Sequence, residues 1–414
     1  MITAVKGFND ILPSEGFLWR FVEDEAAALF STYGYEVIKI PVVEKTELFS
    51  RSIGQTTDIV EKEMYTFADR RGTSLTLRPE GTASVVRAYI ERRLYELPLQ
   101  KIYYMGPMFR YERPQKGRYR QFHQLGAEVL GDGNPRAEAE MLEMLTRYIS
   151  RLGIKDASLQ INSLGCGECR PGYRETLYSF LLSHKEGLCA DCLRRMEANP
   201  LRALDCKVPG CVEATVEAPS IIGSLCTECE AHFLDVRSSL AMLKVSYDVN
   251  PRMVRGLDYY TKTTFEIVSG GLGSQNTVAA GGRYDGLVKE LGGPSTPCIG
   301  FAIGLERLVM LLKESGAAAP PLLVVFIPLG PEAEASAADL IAGLRAKGMK
   351  VIEDYSATTL KKRMKRADKL GASFTVIIGE DEIKEGAAAV KDMRTAAQEK
   401  VPFDNLYERL LRAD

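Results

Sequence analysis

The chain has 414 residues, 45% hydrophobic and 26% charged, which suits two or three packed domains at roughly 100–200 residues each and excludes a disordered tail or a stapled mini-protein. With 53 Lys+Arg against 55 Asp+Glu the formal charge is -2, so no global field draws it to nucleic acid or anionic lipid, and any polyanion must be held by a local basic patch. Met1 is followed by no basic stretch leading into an apolar run, and the longest aliphatic runs, such as 322–327, are far below the ~18 residues of a membrane span; a cytoplasmic protein is expected.

A turn at Gly7, Asn9, Asp10 and Pro13 leads into a helix expected to start at Ser14, with Leu18, Phe21, Val22, Ala26, Leu29 and Phe30 at helical spacing. Tyr35 to Val43 reads as a strand interrupted by Pro41, which cannot donate to a ladder and so belongs at an edge or an interface. Strand signals follow at 64–67, 75–77, 101–105 and 121–129, with helices at 81–95 and 136–150. Strands punctuated by helices without βαβ regularity predict an antiparallel α+β core. Residues 166–250 differ in texture, with cysteine pairs, helical stretches at 172–182 and 231–243, and loops around Pro200, Pro209 and Pro219; they read as an inserted, Cys-rich, largely helical domain. Sheet-like sequence resumes over 254–268, passes through a glycine-dense stretch, 270–293, and ends in a helix at 304–313. The small, proline-ended 316–321 reads as a linker. Beyond it, strands at 322–328, 350–354, 374–379 and 387–393 alternate with helices at 332–347, 358–370 and 403–412, the pattern of an α/β domain with a partly parallel sheet. The expected organisation is a domain over 1–320, with 166–250 inserted in it, and a second over 321–414.

Eight of the nine cysteines fall in 166–229 as the pairs Cys166/Cys169, Cys189/Cys192, Cys206/Cys211 and Cys226/Cys229. In a reducing compartment such pairs point to metal ligation rather than disulfides. The 19 residues between the first two pairs suit a four-thiolate zinc site, with the last two forming a second. An interleaved pairing, first with third and second with fourth, is equally open. His184 and His232 are candidate substitute ligands, and Cys298 is expected to pack as a small hydrophobe.

The densest chemical signal is FRYERPQKGRYRQFHQLGAEVLG, residues 109–131, where Arg110, Arg113, Lys116, Arg118 and Arg120 crowd a turn marked by Gln115 and Gly117 between two strand-like arms. Guanidinium forks on a hairpin suit a phosphate chain. Glu112 and Glu128 read as buried strand carboxylates, and with Gln124 they suggest a polar cleft beside the cationic loop. A second basic run, Lys361, Lys362, Arg363, Lys365, Arg366 and Lys369, is expected on a helix capped by Thr358 or Thr359. Residues 321–414 carry 15 Lys+Arg and 15 Asp+Glu, so that run is a local concentration on a neutral domain.

These residues carry a resemblance. Segment 109–131 resembles motif 2 of class II aminoacyl-tRNA synthetases, GFAIGLERL (300–308) resembles their motif 3, and Pro41 with the preceding helix resembles motif 1, a dimer-interface element. LTLRPEGT (75–82), VRGLDYYT (254–261) and AAGGRYDGL (279–287) are similar to signatures of the histidyl-tRNA synthetases. The resemblance implies a class II antiparallel-sheet catalytic core, an anticodon-binding C-terminal domain, a homodimer, and ligation of histidine to tRNA(His) through a histidyl-adenylate, with ATP and Mg²⁺.

It implies that Arg110, Glu112, Arg118 and Arg307 bind ATP, with Arg110 and Arg255 the catalytic arginines. Arg255, beside Gly256 and so able to approach closely, would contact the α-phosphate and the amino-acid carboxylate. Glu80 and Thr82 would receive the substrate ammonium, Gln124 would face the carboxylate, and Glu128 and Tyr260 would bond the imidazole nitrogens, with Tyr284 nearby and Gly281 and Gly282 leaving room for the ring. A pocket demanding both ring nitrogens needs no editing domain. Arg113 and Gln115 would touch the tRNA acceptor end. The eight cysteines depart from the family's usual insertion, which lies over the acceptor arm, so one or two structural Zn²⁺ would stiffen a tRNA clamp. The rival readings are a non-catalytic synthetase-like regulatory subunit of ATP phosphoribosyltransferase and a zinc-dependent RNA-binding module with a vestigial site.

Overall fold

The computed structural model describes residues 1–414 apart from 54–56, 58, 256, 272–275, 317, 318, 413 and 414, with 198 as backbone only. The close approach expected at Gly256 and parts of the linker and the glycine-dense stretch lie outside the described residues. Two units separate, Met1–Ala318 and Ala319–Asp414.

The strands of the first unit are β1 (Glu36–Val37), β2 (Val43–Lys45), β3 (Tyr65–Ala68), β4 (Ser74–Leu77), β5 (Gln100–Phe109), β6 (Gln121–Leu130), β7 (Ala157–Ser163), β8 (Asp248–Val249), β9 (Thr261–Ser269), β10 (Thr277–Arg283) and β11 (Cys298–Gly304). Eight of them form one sheet in the order β1-β5-β6-β11-β10-β9-β7-β8, and β2-β4-β3 form a small separate one. Only the outermost pairs of the large sheet, β1 with β5 and β7 with β8, are parallel.

Alternation along the central strands gives this sheet two unlike faces. Leu125, Ala127 and Val129 on β6, Phe265 and Ile267 on β9, and Ile299, Phe301 and Ile303 on β11 share one apolar core with the helices Pro13–Thr32, Pro135–Arg151 and Leu305–Ser315. The intervening residues, Gln124, Gly126 and Glu128, Thr264 and Glu266, Gly300, Ala302 and Gly304, are polar or small, and their face turns away from the helices. At the end of β10 the fully buried Arg283 donates to Glu138 at 2.5 Å, and the same carboxylate oxygen lies 2.6 Å from His232 Nε2. That buried charge cluster ties two helices to the sheet, each group paired as burial requires.

Several local expectations change. The first helix begins at Pro13 with Leu12 as its cap and no side-chain cap bond; Pro is already suited to a first helical position, so Ser14 is not needed. Pro41 does not interrupt one strand but separates β1, at the edge of the large sheet, from β2 in the small one. Residues 254, 255 and 257–260 are not strand, and β9 starts only at Thr261. Glu112 lies beyond the end of β5 on the loop rather than on a strand, though still half-buried.

The second unit orders β12 (Leu323–Pro328), β13 (Lys350–Glu353), β14 (Phe374–Ile378), β15 (Ala387–Asp392) and β16 (Gln398–Pro402) as β13-β12-β14-β15-β16. The β12 pairs are parallel and the remainder antiparallel. Sequence periodicity misses β16 and the short helix Glu380–Glu385, because an edge strand reading Gln-Glu-Lys-Val-Pro buries little beyond Val401. The basic helix spans Leu360–Lys369, capped by Thr359 without a side-chain bond, so neither expected hydroxyl cap forms. Its Arg363 does not join the basic face: it is buried and donates to the carbonyls of Pro328 (2.5 Å) and Asp354. Among the described residues no helix is long and apolar enough to cross a membrane.

Replacing Arg363 with Met orphans two buried carbonyls, so R363M should lower the stability of the second unit by about 2–3 kcal/mol, whereas the exposed Lys362→Ala should change it by less than about 0.5 kcal/mol; urea midpoints of the two variants check this.

Candidate active site

Against the polar face of the large sheet lies a cleft of about 1140 Å³. One end is a chain of buried polar groups. Glu80 sits at the start of the helix Thr82–Glu91 and accepts the backbone amides of Thr82 (2.7 Å) and Ala83 (2.8 Å), the donors a helix N-terminus leaves unsatisfied. The Thr82 hydroxyl donates to Glu128 Oε1 at 2.8 Å, and Tyr284 donates to Glu128 Oε2 at 2.6 Å. Burial raises the Glu80 carboxyl against the pull of its two amide donors. Burial also pushes Glu128 up to about 8, opposed by the Tyr284 and Thr82 bonds and aided by the charge of Glu80. Gly300, opposite Glu128 on β11, is what admits the carboxylate: a Cβ there would stand 1.5 Å from Glu128 Oε2.

The other end is cationic. Arg110, just past β5, donates through Nε to the Pro79 carbonyl at 2.9 Å and lies over the Phe122 ring. Arg307, on the helix Leu305–Ser315, donates to the Thr277 carbonyl; burial first, then the like charge of Arg118, lower its pKa. Cations gathered so closely favour an anion between them. The tip of the motif 2 loop turns at Gly117, φ +73°, between Gln115 and Arg118, and Arg118 lies 3.6 Å from Glu112.

Arg255 and Tyr260 enter from the irregular segment before β9. Arg255 pairs with Glu266 and lies 5.8 Å from the Tyr260 ring centroid. Of the residues expected at a site, Glu80, Thr82, Arg110, Glu112, Arg118, Gln124, Arg255, Tyr260 and Arg307 all line the cleft. Glu128 and Tyr284 lie just behind Thr82, and Arg113 and Gln115 are exposed on the loop outside it. The buried Gln124 Oε1 has no hydrogen-bond partner among the described residues, as suits a group aimed at a ligand.

Gly281 and Gly282 are filled differently from expectation: a Cβ at Gly281 would meet the Gly300 carbonyl at 2.2 Å, and one at Gly282 the Tyr260 ring at 2.9 Å, so strand packing and a wall of the cleft occupy that space. Sequence reasoning passed over Glu266 as a cleft residue, along with Glu306, Tyr259 and Arg202. Glu306 was legible as the acidic neighbour of Arg307 in GLERL; it accepts the His123 amide (2.9 Å) and lies 3.0 Å from its Nδ1, which gives that histidine a structural partner.

The cysteines gather into two groups, Cys166, Cys169, Cys226 and Cys229, and Cys189, Cys192, Cys206 and Cys211, with the four sulfurs of each within 4.8 Å of one another. The pairing is nested, first pair with fourth and second with third, so both the sequential and the interleaved pairings are corrected. The physical reason is that the start of the helix Thr227–Met242 returns to the start of the helix Cys169–Ser183, so the four inner cysteines, which lie between them along the chain, are left to pair with one another. Sulfur separations of 3.7 Å (Cys166–Cys169) and 3.9 Å (Cys166–Cys226, Cys189–Cys206) match the edge of about 3.8 Å that a tetrahedron of Zn–S bonds near 2.3 Å requires. The Cys192 amide, with other neighbours, pulls the Cys189 thiol down to about 7. His184 stacks on Phe180 and His232 bonds Glu138, so neither is a substitute ligand. Cys298 is fully buried, as a small hydrophobe would be.

The family model described as "Histidyl-tRNA synthetase" matches residues 7–169 and 196–308, and that described as "Anticodon binding domain" matches 323–413. The chain is 56% identical over 404 residues to a protein of Geobacter sulfurreducens named histidine–tRNA ligase, covering 97% of this chain and 98% of that one. It is 54% identical over 411 residues to the protein of that name from Syntrophotalea carbinolica, covering 99% and 98%. Apo histidyl-tRNA synthetase of S. aureus superposes with a TM-score of 0.77 at 38% identity, covering 99% of this chain and 100% of that one. The fold and cleft are those of a class II aminoacyl-tRNA synthetase. Within that class, the chain belongs to the histidyl-tRNA synthetase family.

Because burial raises Glu128 from 4.5 to about 8, the folded chain keeps a proton that the unfolded chain has already released between those pH values, and this group's contribution to stability declines as pH rises through that window. The melting temperature of Glu128→Gln should therefore fall less than that of the unsubstituted protein from pH 5 to 8; parallel profiles would refute the assignment.

Proposed function

We propose that this chain activates histidine with ATP and transfers the histidyl group to tRNA(His). The observation that carries the reading is the two-ended cleft: Arg110, Arg118 and Arg307 from two separate elements at one end, the Glu80–Thr82–Glu128–Tyr284 chain at the other, and Arg255 entering from a third segment. Activation is an in-line attack of a carboxylate oxygen on the α-phosphorus with loss of pyrophosphate, and it calls for alignment and charge neutralisation more than for a nucleophilic side chain. In this reading Arg110 and Arg307 hold the phosphate chain, with Mg²⁺ arriving on the ATP, and Glu112 and Arg118 complete the loop side. Arg255 exchanges Glu266 for the α-phosphate and the amino-acid carboxylate. Glu80 and Thr82 receive the ammonium, Gln124 faces the carboxylate, and Glu128 and Tyr260 read the imidazole with Tyr284 fixing Glu128. A tRNA 3′-terminal hydroxyl then attacks the carbonyl, and the adenylate phosphate leaves; Arg113 and Gln115 stand where the acceptor end would approach.

The domains we assign to this chemistry are 1–320, with the insertion 166–250, for catalysis and 321–414 for the anticodon. The exposed apolar Val37, Val42 and Val43 flanking Pro41 support a homodimer through that edge, and the cytoplasm is the expected compartment. The donor sets of both cysteine groups suit Zn²⁺, whose chemistry there is structural: it would hold the insertion's helices together in place of a larger core. The regulatory-subunit reading is less well supported, since the arginines and the second unit are all present.

Histidine-dependent exchange of pyrophosphate into ATP tests the activity: the reading expects exchange with histidine and with no other amino acid, reduced by about two to three orders of magnitude in Arg255→Ala. Exchange absent while histidine still binds would overturn it in favour of the regulatory reading. Metal analysis of protein purified under thiol reductant should find one zinc per cysteine group, two per chain, and Cys206→Ser should lose the inner one alone.

A further inference from the structure

The segment that brings Arg255, Tyr259 and Tyr260 to the cleft has little regular structure of its own. A coil bearing binding residues must be held by its neighbours; Glu266 and Asn162 of the core hold Arg255 and the Met253 carbonyl, and further holding groups come from the cysteine-rich insertion. Asp258, two residues before Tyr260, accepts from Arg202 Nη2 at 2.9 Å and lies 3.5 Å from Asn199 Nδ2. Arg202 belongs to the turn Pro200–Asp205 that joins Cys192 to Cys206 in the inner group. Arg252 donates to the Thr215 carbonyl at 2.5 Å and to its hydroxyl at 2.6 Å, and that hydroxyl in turn donates to the Cys211 carbonyl at 2.8 Å.

The outer group holds the far side. Arg170, adjacent to Cys169, donates to the carbonyl of Tyr260 and, at 3.2 Å, to that of Leu164. The carbonyl of Gly165, beside Cys166, accepts the Thr261 hydroxyl (3.1 Å) and the Lys262 amide (2.9 Å), while Glu228, between Cys226 and Cys229, pairs with Lys262 at 2.8 Å. The ties from Arg202, Thr215, Arg170, Gly165 and Glu228 each start within four residues of a thiolate ligand and end within three residues of Arg255 or within two of Tyr260. None of them reaches the Arg110 and Arg307 end.

We propose that the two cysteine groups form a metal-dependent clamp on the histidine-binding segment, with Arg202, Asp258 and Arg170 as its positioning residues, so that metal loading sets affinity for histidine and changes ATP binding much less, since of that segment only Arg255 would meet the phosphate chain that Arg110 and Arg307 hold. The proposal rests on the histidine and zinc readings above. Bound metal fixes the turn and helix start from which Arg202 and Arg170 reach; without it four thiols in each group lose the centre that holds them together, and the ties lose their anchors. Arg255 and Tyr260 must then be ordered by histidine itself, which weakens binding.

The test is calorimetric titration of histidine and, separately, of ATP into R202M, R202K, D258N and the unsubstituted protein, the last both metal-loaded and stripped by chelator under thiol reductant, with zinc content measured for each. R202M and D258N leave every thiolate in place. R202M should retain both metals and bind histidine about tenfold more weakly, as loss of one charge-assisted hydrogen bond implies, with ATP affinity within about twofold, and R202K should recover part of the loss. Stripping the unsubstituted protein should weaken histidine binding at least as much, and stripping R202M should add less than it does to the unsubstituted protein, since that tie is already cut. Equal histidine affinity before and after stripping overturns the clamp while leaving the zinc reading intact. Histidine and ATP affinities falling together in R202M overturn the positioning role, and absence of metal from the freshly purified protein overturns the zinc reading and the clamp with it.

Discussion

A carboxylate buried in the middle of a sheet is tolerated only if donors surround it and nothing crowds it, and much of the cleft can be read from that condition at Glu128. Its two oxygens take the hydroxyls of Thr82 and Tyr284. Thr82 in turn stands at the start of a helix whose first amides Glu80 accepts, and the facing strand carries glycine where any Cβ would strike the carboxylate. Motifs as far apart in the chain as Glu80 and Gly300 thus meet around one buried carboxyl group whose oxygens need partners. In the proposed reading, the same burial that makes Glu128 costly would make it discriminating, since a ligand that fails to complete its bonding leaves the penalty standing.

Around this point the sheet divides its labour by alternation. Leu125, Ala127 and Val129 face helices and contribute the hydrophobic stabilisation, while on the opposite side Gln124 lines the cleft, Glu128 lies behind Thr82 and Gly126 leaves room for the Tyr104 ring. A shift of one residue in register would exchange the two sets. The small residues of β10 and β11 line the cleft, the cationic elements Arg110 and Arg307 stand at its other end, and Glu266 supplies the carboxylate that the buried Arg255 guanidinium requires.

The insertion follows different physics. Its helices enclose a modest apolar core around Tyr173, Leu177, Leu181 and Met196, and in the zinc reading two nested sets of thiols would add what a larger core would otherwise provide. Its ties to the segment beside Arg255 connect this module to the amino-acid end of the cleft, so its integrity bears on the site as well as on its own folding.

Sequence alone determined what depends on neighbours a few residues apart: the strand signals at 101–105 and 121–129, the helical spacing of Leu18, Val22, Ala26 and Leu29, the turn at Gly117, the clustering of eight cysteines, and most of the motif residues that now line one cleft. Tertiary structure decided what depends on contacts distant along the chain. The nested partners of Cys166 and Cys189, the ion pair of Arg255 with Glu266, the withdrawal of Arg363 from a basic face to two buried carbonyls, and the splitting of 35–43 between two sheets all follow from where separate elements come to rest. Local pattern reports which side of an element is apolar; it carries no record of what will be packed against that side, and burial beside a specific partner is what turns a charge, a thiol or a glycine into part of a site.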